Sequence, residues 1–102
     1  MSSSAITSVE QIALRLRVTR EALGLSQVEL CRRSGLATNT YNQWEKGKGR
    51  PDLDGAIAYS KAFRIPLDWI YLGDPSGLPH SVAGNIVARM SSFSADRSAK
   101  GA

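Results

Sequence analysis

The chain has 102 residues, 42% of them hydrophobic, which is enough to bury one core and points to one compact domain with a short extension. A single cysteine (Cys31) and a single histidine (His80) exclude an internal disulfide and a zinc site, and no apolar run approaches the roughly 18 residues of a bilayer span. Of the net charge of +4, residues 27–50 carry +3, from five basic and two acidic side chains; either a polyanion faces this segment or the excess is a solvated basic surface.

Taken in chain order, residues 1–8 are serine-rich and are expected to be disordered, and Met1–Ala5 lacks the basic-then-apolar pattern of a secretory signal. Val9, Ile12, Ala13, Leu16 and Leu23 share one face of a first helix, with Arg15, Arg17, Arg20 and Glu21 assigned elsewhere. Gly24 ends it. Ser26 followed by Glu29 reads as a capping box opening a second, short helix that stops near Ser34, before Gly35.

The third helix begins near Ala37 or Thr38 and stops before Gly47. On a helical wheel, Ala37, Thr40, Tyr41 and Trp44 form one arc, expected to pack inward, while Thr38, Asn39, Asn42, Gln43 and Lys46 form another. Such a polar arc has a specific chemical use. A flat carboxamide offers a donor and an acceptor together, matching N6–H and N7 of adenine in the major groove, and the arc holds no acid that phosphate would repel. The bland alternative is a hydrated surface helix. Two neighbouring features favour groove contact: the short helix and tight turn before it, and the Lys46, Lys48 and Arg50 loop after it, which can neutralise phosphates.

Beyond that loop, Asp52 or Pro51 opens a fourth helix whose apolar face is Leu53, Ala56, Ile57, Ser60 and Phe63, weakened by Gly55. Pro66 suits the first turn of a short fifth helix through Leu67, Trp69, Ile70 and Leu72. The turn cluster "GDPSGLP" then closes a domain spanning 9–73. In the extension, 74–102, Val82, Ile86 and Met90 recur every fourth residue, which predicts a short helix over 81–91 followed by disorder. That stripe either covers the domain's own core or forms a dimer seam. With no strand-like alternation, the fold class is all-α, five helices with a short tail. Trp44, Trp69 and Tyr41 are expected as core anchors and Cys31 as a small buried packing residue. No nucleophile–base pair, phosphate-cradling glycine loop or metal spacing is present, so neither an enzyme nor a cofactor is expected.

The stretch "LGLSQVELCRRSGLATNTYNQWEKGKGRPDLDGAIAYSKAFRIPLDWIYLG" resembles the Cro and lambda-repressor-like helix-turn-helix regulators, including the xenobiotic-response-element type. The likeness spans roughly Val9 to Gly73 and lies in features kept in register: "LSQ", Gly35, "WEKGK", "PDL" and "PLDWIYLG". It implies a cytoplasmic, bacterial or phage, nucleoid-associated regulator, acting as a homodimer on partly palindromic double-stranded DNA. Thr38, Asn39 and Gln43 then occupy base-reading positions, assisted by Asn42. Gln27 touches a phosphate and buttresses the start of the third helix, Arg20 pairs with Glu45 near the DNA backbone, and Lys46 and Lys48 match loop positions that approach phosphate; Arg50 is expected to hold phosphate with them by the charge of the same loop. Ala37 departs from the family's capping serine or threonine, so the cap is expected to pass to Thr38. The expected function is sequence-specific DNA binding, as a repressor. The alternatives are an antitoxin or partner-binding regulator that uses residues 78–92, and a nucleoid protein that binds without reading bases.

Overall fold

The chain's structure, a computed structural model, describes residues 7–101, with side chains as far as Ser92. It is helical throughout, with no strand among the described residues: α1 (Val9–Ala22), α2 (Gln27–Ser34), α3 (Thr38–Glu45), α4 (Leu53–Phe63), a single π-helical turn α5 (Asp68–Leu72) and α6 (His80–Gly101). Most of the disorder expected over residues 1–8 lies outside the described residues. Ser8 is ordered as the N-cap of α1, its hydroxyl accepting from the Gln11 amide at 3.2 Å.

The local stops and starts follow the side chains. At the end of α1, Gly24 takes φ +74°, and the Leu25 and Gly24 amides return to the Arg20 and Glu21 carbonyls, which satisfies two carbonyls the helix would leave open. Ser26 and Glu29 form the expected capping box in both directions, at 3.1 and 3.0 Å. Gly35 at φ +80° ends α2 and sends the chain into α3. The N-cap of α3 is Ala37, with no side-chain cap, so Thr38 does not take over the capping role; it is the first residue inside the helix. Asp52 caps α4 through the Gly55 amide at 2.9 Å. Gly55 also lies under α3: a Cβ there would sit 2.9 Å from Trp44 Cζ2, so the missing side chain lets the indole seat on α4.

α1 is the hub, with α3, α5 and α6 packed around it, and α2 lies against α3 and α4. The core runs from Ile12, Leu16 and Val18 through Leu30, Cys31, Tyr41, Trp44 and Tyr59 to Ile65, Trp69, Ile70, Leu78 and Ile86. Because helices surround α1, it buries more than one stripe. Arg15, assigned by its charge to the outer face, is only 3% exposed. Its Nε and Nη2 donate to the Ile70 carbonyl at 3.2 and 3.0 Å, and its guanidinium lies over the Trp69 ring, 5.9 Å from the centroid. Thr19 is buried beside it and accepts from the Trp69 indole at 2.8 Å. These bonds tie the π-helical turn to α1.

The α4 face is rotated from expectation. Tyr59 is fully buried, stacked on Tyr41 with centroids 6.3 Å apart, while Leu53 points outward. Leu72, grouped with the apolar residues of the fifth helix, is also exposed. The helix expected over 81–91 starts at His80 and continues to Gly101. Its stripe covers the domain's own core: Ile86 is buried, with Val82 and Met90 packed beside it. Arg89 reaches Glu21 of α1 at 3.6 Å. No helix among the described residues is long and apolar enough to cross a membrane.

Candidate functional site

Trp44 and Tyr41 fix the orientation of α3. Both are buried and meet edge-to-face at 5.8 Å, with Tyr41 stacked on Tyr59 beneath. Aromatic burial of this size dominates the docking of an eight-residue helix that is too short to hold itself together in water. The inward arc is narrower than the wheel suggests, because Ala37 and Thr40 are exposed. On the other side, Thr38 and Asn39 are exposed and Asn42 and Gln43 half-buried, so the amide-bearing side is presented outward. No side-chain hydrogen bond engages Asn39 or Gln43 among the described residues.

A polar network anchors the far end of α3. Arg20 Nε lies 2.7 Å from Glu45 Oε2 and Arg20 Nη2 lies 3.2 Å from Oε1, a two-pronged pair whose side chains are only 16% and 6% exposed. Arg20 Nη1 also donates to the Leu25 carbonyl at 3.0 Å, which links the pair to the turn before α2. Tyr41 donates its hydroxyl to Glu45 Oε2, and Gln27 Nε2 donates to Oε1 at 3.1 Å. The hydrogen bond to Glu45 raises the Arg20 pKa against the opposing effect of burial. Burial, reinforced by neighbouring groups, keeps Tyr41 protonated far above the ordinary phenol range.

The residues singled out by sequence thus divide. Arg20 pairs with Glu45 as the resemblance implied. Gln27 reaches the middle and end of α3 rather than its start: besides Glu45, it accepts from Asn42 Nδ2 at 2.9 Å. Lys46 and Lys48 are exposed and make no ion pair among the described residues. Arg50, also exposed, donates to the Thr7 carbonyl and so holds the chain entering α1. Tyr41 belongs to the network through its hydroxyl, a role that its i, i+4 spacing to Glu45 could have signalled. Cys31 is buried, which pushes its thiol pKa up, with the Thr38 hydrogen bond working the other way. A thiol in that setting is a packing group.

Thr38, Asn39, Gln43 and Lys46 therefore belong to one outward strip of α3, with Lys48 in the loop after it. A strip of amides and a hydroxyl beside ammonium groups can donate to and accept from base edges while cations neutralise the flanking phosphates. A helix-turn-helix family model matches residues 16–70, slightly more than half the chain and including α2, α3 and α4 entire. No curated protein matches the chain, and no solved structure does.

Proposed function

Since the chain belongs to the Cro and lambda-repressor-like helix-turn-helix family of DNA-binding transcriptional regulators, a family of regulators rather than enzymes, we propose that it is a repressor that reads a partly palindromic operator as a homodimer. In this reading α3 enters the major groove. Asn39 and Gln43 contact base edges, assisted by Thr38 and Asn42, while Arg20, Gln27, Lys46, Lys48 and Arg50 line the flanking phosphates. Repression follows from occupancy of the operator. Two-fold half-sites would then lie about one helical turn apart.

The observation that supports this best is the division of α3: Tyr41 and Trp44 are locked beneath, while Asn39 and Gln43 stay unengaged on the outside. Selection of sites from a random duplex pool, at stated salt, tests the proposal. One half-site sequence should be enriched, and Gln43→Ala should relax discrimination at one position, by about 1–3 kcal/mol, with helicity unchanged. Enrichment of no sequence, with binding governed by salt alone, would indicate a backbone binder.

A partner-binding role through residues 78–92 is the second reading. It is favoured by an apolar groove between α5 and α6 lined by Trp69, Pro75, Val87, Met90 and Ser91, with Val87 half exposed.

A further inference from the structure

Glu45 controls more than the attachment of α3. A carboxylate held against a guanidinium only accepts hydrogen bonds, and four donor contacts converge on this one, from Arg20 Nε and Nη2, the Tyr41 hydroxyl and Gln27 Nε2. Gln27 therefore turns its NH2 toward Glu45, and its carbonyl oxygen faces the opposite way. There it accepts from Asn42 Nδ2 at 2.9 Å. Asn42 must in turn direct its NH2 inward, which leaves its carbonyl oxygen on the outer side of α3. An isolated asparagine could reverse its amide by a half-turn about χ2. Here a charge two side chains away forbids the reversal, because a flipped Asn42 would set its oxygen against the oxygen of Gln27. Asn39 and Gln43, with no side-chain hydrogen bond among the described residues, remain free to turn either edge outward.

We propose that Asn42 is the side chain that distinguishes amino from keto bases in the operator, with Gln27 and Glu45 acting as positioning residues that set its polarity. Adenine N6 and cytosine N4 present N–H groups in the major groove, whereas guanine O6 and thymine O4 present lone pairs. A fixed outward carbonyl hydrogen-bonds the first two and repels the last two. Asn39 and Gln43 can turn either edge of their amides to the base they face, whereas the edge that Asn42 presents is fixed. The proposal rests on the groove-reading function above and deepens it.

The test uses fluorescence anisotropy on the selected half-site and its single-base variants. Asn42→Ala identifies the position that Asn42 faces. There the unaltered protein should favour adenine or cytosine over guanine or thymine by about tenfold. Gln27→Met keeps the length of the side chain and removes its amide, leaving the Arg20–Glu45 pair in place, with folding checked by circular dichroism. It should bring that ratio to within about twofold while the ratios at other positions hold. Glu45→Gln, whose amide can either donate or accept, should blur the same position. A preference for guanine or thymine at that position overturns the proposal. So does an Asn42→Ala protein with every preference intact, or a folded Gln27→Met protein that binds all sequences more weakly but keeps the ratio. Absence of sequence preference in the unaltered protein overturns the groove-reading function itself, which is a separate failure.

Discussion

Glu45→Ala is the sharpest perturbation of the architecture beneath α3. It leaves the Arg20 guanidinium, whose side chain is 16% exposed, with the Leu25 carbonyl as its remaining hydrogen-bond partner among the described residues, and it leaves Tyr41 with only a long 3.4 Å contact to the Leu16 carbonyl. The Gln27 amide loses its acceptor as well. Removing one member of a buried pair typically costs about 3–5 kcal/mol; here the stranded cation keeps the Leu25 carbonyl and a little solvent, which places the loss toward the lower end of that range. Against a total stability on the order of 5–15 kcal/mol, that is a large share. Urea unfolding followed by tryptophan fluorescence should show the midpoint falling by roughly 2–4 M with the slope unchanged. The loss should persist at high salt, since a buried pair is poorly screened. Combining Arg20→Met with Glu45→Ala should recover a large part of it, as the stranded cation is then gone. A single-variant loss below about 1 kcal/mol that vanishes in salt would mark the pair as a surface contact and refute the anchoring role.

Three other outcomes follow from particular atoms. Lys48→Ala should weaken binding to all DNA sequences alike and reduce the slope of log K against log salt by about one, measured by titration at several salt concentrations. The Tyr59 hydroxyl is buried with no hydrogen-bond partner among the described residues, so Tyr59→Phe should be neutral or stabilising, by up to about 1–3 kcal/mol in thermal unfolding. The hydrogen bond with the Ser26 amide lowers the Glu29 pKa, so its contribution to stability is full above the ordinary glutamate range and is lost as pH falls through the lowered value. The melting temperatures of the unaltered protein and Glu29→Ala should therefore differ at pH 7 and converge once the pH has fallen through that lowered value.

What the sequence disclosed was mostly local. A serine three residues before a glutamate, a glycine after each short helix, and two aromatics opposite four polar residues all act within one or two turns, so they were legible in one dimension. The Arg20–Glu45 pair came from the family resemblance. Long-range partners were not legible. Arg15 reads as a surface cation until the Ile70 carbonyl, 55 residues away, appears above it. The place of Tyr59 in the core depends on Tyr41 lying across it, and nothing local to Leu53 says that the first turn of α4 projects outward. Thr40 and Ala37 are exposed although a wheel groups them with the aromatics, because this eight-residue helix is covered only around Tyr41 and Trp44. The Gln27–Asn42 bond depends on how α2 crosses α3, which no periodicity records.

The family match ends at residue 70, yet Leu78 and Ile86, which lie past it, are integral to the core. Kinship and cooperativity therefore have different boundaries here. A protein trimmed to its homologous part would uncover the flank of α1, whose next residues along, Arg20 and Glu21, face the Glu45 anchor and Arg89 of α6 respectively. The segment beyond the family match thus forms part of the foundation on which the matched one stands.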